Sequence, residues 1–407
     1  MVYYYRRFYE LFMTKQEKIN SILGRGVEEI VHKEHLKKLL LGRKKLRVKL
    51  GIDPTSPNIH IGRAVVLWKL RAFQELGHQV VFIVGDFTGL IGDTSDKDAE
   101  RPMLTEQQIT INMKSYFDQA FKILDKSKTE TYRNSEWLKR LGFLEIGRMA
   151  DLFGLHEMAA RENISKRLKA GKRVSVRELL YPLMQGYDSV AVKADIELGG
   201  TDQRFNLLAG RTIQPLYGQE PQDIVTTQLL EGTDGRKMSS SWGNTINLTD
   251  SPDDMFGKVM SIPDNLIEKY FTLGTQTLWK HIEEILRSYN NPRDQKLILA
   301  HTITEQYHGA RTAQIAQEKF INQFSKKELP SDVPVKKIKP GTYVLADLLV
   351  MTGLVGSKSE ARRLITQNGV KINQHVAHNK PVEILAKNDL IIQVGKRKFV
   401  RIAWAFH

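Results

Sequence analysis

The run from Arg47 to Val84 constrains the fold more than any other part of the chain. Arg47–Ile52 is a short apolar-alternating stretch that reads as a strand, and Asp53-Pro54-Thr55-Ser56-Pro57-Asn58 breaks it. Two prolines, with Ser56 and Asn58 as candidate caps, announce a helix from about Ile59 through Leu76. Gln79–Val84 is then a continuous apolar strand, followed by the glycine-rich turn Gly85-Asp86-Phe87-Thr88-Gly89-Leu90-Ile91-Gly92-Asp93. Strand, helix and strand in such close succession form a βαβ unit. That unit implies an α/β fold, a Rossmann-type parallel sheet with ligands at the carboxyl ends of its strands.

The rest of the chain extends this frame. Residues 14–41 carry apolar positions at helical spacing (Ile19, Ile22, Leu23, then Val27, Ile30, Val31) and predict helices, as do residues 104–180 with Met149, Leu152, Phe153 and Leu155. Alternation returns at Ala194–Leu198, before Gly199-Gly200-Thr201-Asp202-Gln203. A further strand is expected over Asp223–Leu229, running into Gly232-Thr233-Asp234-Gly235-Arg236-Lys237-Met238-Ser239-Ser240-Ser241. Pro252 to Phe324 is helical in pattern, restarting at Asn291-Pro292, and Glu328–Pro340, with three prolines and three lysines, reads as a linker. Tyr343–His407 opens as helix and closes as alternating strands around Gly395.

Composition narrows the function. The 407 residues amount to two or three domains. The absence of cysteine excludes disulfides, thiolate zinc sites and cysteine nucleophiles. No apolar run approaches a membrane span, and Met1–Phe12 is aromatic and basic without the apolar core of a secretory signal, so a soluble cytoplasmic protein is expected. The formal net charge of +15 suggests an anionic partner. Its distribution is telling: residues 1–46 carry +6 and residues 331–407 carry +8, while the segment between them is almost neutral.

Two short motifs carry chemistry. His60-Ile61-Gly62-Arg63 opens the helix after the first strand, where free N–H groups and a positive partial charge make a seat for phosphate. Gly62 leaves room for a base or ribose, and His60 and Arg63 supply donors. Lys237-Met238-Ser239-Ser240-Ser241 lies among Gly232, Gly235 and Gly243, which predicts a mobile loop whose lysine can close on a triphosphate. Taken singly, each is equally a helix that begins with His and a solvated polar loop. Their order and separation are far more specific.

Together they resemble the HIGH and KMSKS motifs of class I aminoacyl-tRNA synthetases. Lys49-Leu50-Gly51-Ile52-Asp53-Pro54-Thr55, the Gly85–Asp93 turn, Tyr181-Pro182-Leu183-Met184-Gln185-Gly186-Tyr187-Asp188 and Gly199–Gln203 resemble the tyrosyl-tRNA synthetase family, in the bacterial subtype with Lys rather than Tyr four residues before Asp53. The resemblance implies an enzyme that activates L-tyrosine with ATP and transfers it to the terminal ribose of tRNA(Tyr). ATP is its substrate with Mg²⁺, and there is no permanent cofactor or protein metal site. By the same resemblance Asp93, Tyr181, Gln185, Asp188 and Gln203 bind tyrosine, with Asp188 accepting the phenolic hydrogen. Asp53, Thr55, His60, Gly62, Gly200, Asp202, Lys237 and Ser240 meet ATP, and His60, Arg63, Lys237 and Thr55 act in catalysis. Tyr181, Gln185 and Asp188 share one helix face by spacing alone. Tryptophanyl-tRNA synthetase and a non-catalytic RNA-binding paralogue are the rival readings.

Two departures stand out. The HIGH motif ends here in Arg63, longer than His and permanently charged, and the second lysine of KMSKS is Ser240. Arg63 is expected to make good part of that missing charge, with Arg236 as the other candidate. Residues 343–407 resemble an S4-type RNA-binding domain through Leu354–Ile365 and Gly369–Asn373. Ser357 is a helix cap there, and Lys358, Arg362, Arg363 and Lys371 are RNA contacts. His375 and His378 read as surface or RNA-contacting residues.

The expected domains are an N-terminal helical segment 1–46, of which 1–12 is an extension, and a catalytic domain 47–245 with a helical insertion about 104–175. A helical anticodon-side domain 246–327, a linker 328–341 and an S4-like domain 342–407 follow. Family precedent adds a homodimer joined through the insertion.

Overall fold

A computed structural model describes residues 13–93, 103–325, 333–373, 375–377, 381–384, 390–395 and 398–404. The extension 1–12, the first part of the linker stretch and His378 lie outside the described residues. The chain divides into two compact units, residues 1–320 and 321–407.

The larger unit carries a six-stranded sheet of β1 (Val27–Val31), β2 (Arg47–Ile52), β3 (Gln79–Val84), β4 (Thr129–Arg133), β5 (Ile196–Gly200) and β6 (Asp223–Thr227), in the order β1-β6-β5-β2-β3-β4. All neighbours run parallel except β1, which pairs antiparallel with β6. This is the Rossmann-type α/β organisation. From β2 the chain crosses to β3 on one side and later returns to β5 on the other, so the direction of travel switches at β2. A cleft opens at such a switch point, outside the carboxyl ends of the strands.

Helix α1 (Ile61–Glu75) makes the first crossover and buries Ala64, Val65, Leu67, Leu70 and Phe73 against Val48, Leu50 and Phe82 in the main core. Two further helices bear on the cleft. α2 (Val176–Ala191) contains Pro182, which has no N–H to give the Glu178 carbonyl; Arg161 donates to that carbonyl instead, at 3.2 Å. α3 (Arg204–Ile213) follows β5 by a short turn.

Several expectations are corrected. Val27–Val31 was expected to be helical and is strand β1, because pairing with β6 outweighs its helical spacing. Thr129–Arg133, within the stretch expected to be helical, is strand β4, none of whose residues is fully buried. Helix α1 starts at Ile61 and is capped by His60, not by Ser56 or Asn58. The strand expected over Ala194–Leu198 lies two residues later, and that expected over Asp223–Leu229 ends at Thr227.

The smaller unit has its own core, including Leu345, Leu348, Leu349, Ile365, Val370, Ile392 and Ile402. Its five-stranded sheet runs β10-β9-β12-β13-β7, from β7 (Val335–Ile338), β9 (Val370–Ile372), β10 (His375–Val376), β12 (Leu390–Val394) and β13 (Lys398–Trp404). β8 (Gly341–Val344) and β11 (Pro381–Ile384) form a separate pair. Strand β7 falls inside the stretch expected to be a linker; it pairs in parallel with β13. Helix α4 (Lys358–Thr366) is capped by Ser357, whose Oγ accepts the Glu360 N–H at 3.2 Å.

Candidate active site

Each parallel strand delivers its next residue, or its last, to the mouth of the cleft: Asp53 after β2, Gly85 after β3, Asn134 after β4, Gly200 at the end of β5 and Thr227 at the end of β6. All the residues singled out for tyrosine, ATP or catalysis line one cavity of about 410 Å³ there. The RNA set lies apart, in the smaller unit.

A chain of hydrogen bonds spans the cavity. Tyr181 OH donates to Asp53 Oδ2 at 2.9 Å, and Thr88 Oγ1 donates to Asp53 Oδ1 at 2.7 Å. Asn134 Nδ2 then donates both to Thr88 Oγ1 at 2.8 Å and to Asp188 Oδ2 at 3.1 Å. Trp137 Nε1 completes the Asp188 carboxylate at 2.7 Å. Seclusion from water pushes the Asp53 carboxyl up to about 6, partly opposed by the Thr88 bond. Burial pushes Asp188 up to about 7 against the pull of Lys49, Trp137 and Asn134. The Tyr181 hydroxyl is raised well above its usual range by burial and the nearby carboxylates, so it stays a donor. Gln203 Nε2 donates to Asp93 Oδ2 at 2.7 Å, which places Asp93 and Gln203 side by side.

At α1, the His60 Nδ1 accepts the Arg63 N–H at 3.3 Å, so the ring proton of the neutral imidazole sits on Nε2. Burial, with Arg63 and Lys237 nearby, lowers His60 to about 3 and holds the ring neutral at physiological pH. Two of the first three helical N–H groups are engaged, Ile61 with the Ile246 carbonyl and Arg63 with His60, so less of this terminus is open than the sequence implied. The Arg63 guanidinium donates to the Asp53 carbonyl, Thr55 Oγ1 at 3.2 Å and Tyr116 OH at 2.9 Å. Ser240 Oγ lies 3.2 Å from Ser56 Oγ.

Lys237 Nζ sits 2.8 Å from Asp202 Oδ2. Its loop is anchored: Met238 is buried, and the Asn244 side chain accepts the Ser239 N–H at 2.8 Å and donates to Asp234 and to the Lys237 carbonyl. Arg236 is held by Asp234 and stacks on Trp242, 4.7 Å from the ring centroid. In the smaller unit Lys358, Arg362 and Arg363 are exposed on α4, with Lys358 paired to Asp347 at 2.8 Å, and Lys371 is half-buried on β9.

Sequence reasoning missed Thr88, Asn134, Trp137, Tyr116 and Asn244. Asn134 and Trp137 had one available signal: they directly follow β4, and residues at the carboxyl end of a parallel strand face the cleft. Reading that segment as helix concealed it.

The family model described as tRNA synthetases class I (W and Y) matches residues 41–325. That match covers well over half of the chain. The chain belongs to this family of class I tRNA synthetases. A second model, the tyrosine–tRNA ligase SYY-like C-terminal domain, matches residues 325–402. Among curated relatives, the tyrosine–tRNA ligase of Thermotoga maritima is 48% identical over 396 residues, covering 96% of this chain and 98% of that one. That of Aquifex aeolicus is 45% identical over 391 residues, covering 96% and 99%. Among solved structures, a C-terminally truncated mitochondrial tyrosyl-tRNA synthetase of Aspergillus nidulans superposes with a TM-score of 0.64 at 20% identity, over 78% of this chain and 97% of that one. The Archaeoglobus fulgidus enzyme complexed with L-tyrosine gives 0.60 at 24%, over 74% and 99%. At those identities the structural likeness speaks for the synthetase fold alone.

In this synthetase the turn after β3 has a sharp steric demand. A Cβ on Gly85 would stand 2.1 Å from Asp53 Oδ1 and 2.3 Å from Thr88 Oγ1, so the Asp53–Thr88 bond requires glycine. Gly85→Ala is expected to cut amino-acid-dependent ATP–pyrophosphate exchange by about a hundredfold through misplacement of Asp53, with an unchanged far-UV circular dichroism spectrum.

Proposed function

We infer that the chain is a tyrosine–tRNA ligase: it activates L-tyrosine with ATP and transfers the tyrosyl group to tRNA(Tyr). The observation that carries this reading is the buried Asp188, held by Trp137 and Asn134 in the cavity shared by the two triphosphate-binding motifs. A carboxylate so placed accepts the phenolic O–H of tyrosine as a third hydrogen bond, beside those from Asn134 and Trp137, and phenylalanine cannot supply it. Rejection of phenylalanine by this means is an established property of tyrosyl enzymes. Tyr181, Gln185, Asp93 and Gln203 then receive the amino and carboxylate groups.

Asp53, Thr55, Gly62, Gly200, Asp202 and Ser240 form the nucleotide side. The tyrosine carboxylate attacks the α-phosphorus of ATP; the new O–P bond forms as the bond to pyrophosphate breaks, and no general base is needed. His60, through its Nε2–H, together with Arg63 and Lys237, stabilises charge that grows on the phosphate oxygens. Arg63 supplies part of the positive charge absent at Ser240, since Arg236 is taken up by Asp234 and Trp242. Lys237, already held at the cavity by Asp202, exchanges that carboxylate for the departing phosphates. In the second step a terminal ribose hydroxyl of the tRNA attacks the tyrosyl carbonyl and releases AMP. Magnesium enters with the phosphates of ATP, its usual carrier; among the described residues, no group of three or more His, Asp or Glu side chains is arranged to hold a metal.

Lys358, Arg362, Arg363 and Lys371 grip tRNA phosphates from an S4-like domain. The insertion joins two copies into a homodimer. Phe143, Leu144 and Leu155 are 91%, 71% and 71% exposed, and Val176 and Leu180 add to that apolar surface. Its likeness to bacterial ligases supports a cytoplasmic enzyme; no helix among the described residues is long and apolar enough to cross a membrane.

ATP–pyrophosphate exchange tests the central claim: tyrosine should drive it. Exchange with tryptophan would point to the other branch of the family, and exchange with neither amino acid to a non-catalytic paralogue. Because Asp188 must be ionised to accept the phenolic hydrogen, kcat/KM for tyrosine should rise with pH through about 7 and then level off. Truncation before residue 331 should abolish tRNA charging while exchange persists. Phe143→Asp should convert the dimer to monomers, as read by sedimentation velocity.

A further inference from the structure

Lys49 and Glu197 are 0% exposed, and neither lines the cavity. They are direct neighbours across the parallel pairing of β2 with β5. Lys49 has three ammonium hydrogens and meets three acceptors: Glu197 Oε1 at 2.9 Å, Ser189 Oγ at 2.8 Å and the Gln185 carbonyl at 2.9 Å. Glu197 Oε1 also accepts Gln185 Nε2 at 3.1 Å, and its Oε2 accepts Ser189 Oγ at 3.0 Å and Gln222 Nε2 at 2.5 Å. Space for this network depends on α3, where a Cβ on Gly210 would stand 2.5 Å from Gln222 Nε2 and 2.8 Å from Ser189 Oγ.

Stability alone is a poor reason for such a pair, since two buried charges gain little over an apolar pair of equal volume. Their placement suggests another. The network clamps Gln185 by both its backbone and its side chain, and Ser189 is the chain neighbour of Asp188. Gln185 and Asp188 are the two groups of α2, beside Tyr181, that face the amino-acid end of the cavity.

We propose that Lys49, locked to Glu197, is a positioning residue for amino-acid recognition, acting through Gln185 and Asp188 without touching the substrate. This rests on the tyrosine reading and adds to it the source of the field at Asp188. The charged and titratable groups acting there are Lys49 on β2, Glu197 on β5, and Tyr181 on α2 with its partner Asp53. Lys49 favours the ionised Asp188 and Glu197 opposes it, the lysine being the stronger of the two.

Two variants give opposite signs. Glu197→Gln keeps the shape and much of the hydrogen bonding but leaves Lys49 unopposed, so the acidic limb of kcat/KM for tyrosine should move to lower pH. Lys49→Met combined with Glu197→Gln removes both charges together, so no bare carboxylate is buried, and the limb should move up by about one pH unit. At pH 7 its KM for tyrosine should then rise about fivefold, with a smaller tyrosine-to-phenylalanine ratio and an unchanged KM for ATP. Either variant decides the matter if only one of them folds. A limb, tyrosine KM and selectivity equal to wild type in a folded variant would overturn the proposal, as would shifts of the same sign in both. Absence of tyrosine-dependent exchange in the wild-type enzyme would instead overturn the tyrosine reading itself.

Discussion

Strand β2 is flanked in parallel by β3 on one side and β5 on the other, and the site depends on that arrangement. Parallel neighbours end on the same edge of the sheet. Pairing Ile52 with Val84 and Gly200 with Thr227 therefore gathers Asp53, Gly85, Gly200 and Thr227, which come from segments far apart in the chain, around one opening. The same alignment sets Lys49 against Glu197 one layer below. A change of order at β2 would separate His60, Arg63 and Lys237 from Tyr181 and Asp188, however well each segment was formed locally.

The polar groups in this opening are costly to keep out of water, and each is compensated in a way that suits its work. Asp188 has two donors, and its acidity lies near neutrality because burial outweighs them. Asp53 is tied through Thr88 and Asn134 to Asp188, so the two carboxyl groups share one hydrogen-bonded frame across the cavity. His60 is deprived of its charge, which makes it a neutral donor beside the cations Arg63 and Lys237. Positive charge is thus supplied by Arg63 and Lys237, while the imidazole contributes direction.

Much of this was legible in the chain itself. The β2-α1-β3 unit stands out because its strands are apolar and its breaks are proline and glycine, and the motif residues follow from their position at strand ends. Strand β4 was not legible: Thr129-Glu130-Thr131-Tyr132-Arg133 has no apolar face, since an edge strand that is only partly buried needs none. With β4 went Asn134 and Trp137, both of which reach Asp188. Strand β1 was concealed for the opposite reason: Val27, Ile30 and Val31 fit a helical face, and only the partner β6 decides between the two periodicities. In the smaller unit, prolines and lysines suggested a linker where β7 adds to a sheet edge, a placement that depends on β13 at the far end of the chain.

Composition and local pattern therefore determined the α/β class, the near-neutral segment between basic ends and the two short motifs, while the other residues around the cavity came from the resemblance to the synthetase family. These properties are carried by residue types and short spacings, which survive without knowledge of neighbours. The tertiary structure alone decided which polar groups pair: Asn134 between Thr88 and Asp188, Arg63 on Thr55 and Tyr116, Lys49 on Glu197. Pairing depends on distance and burial, and both are created only when segments remote in sequence are brought together.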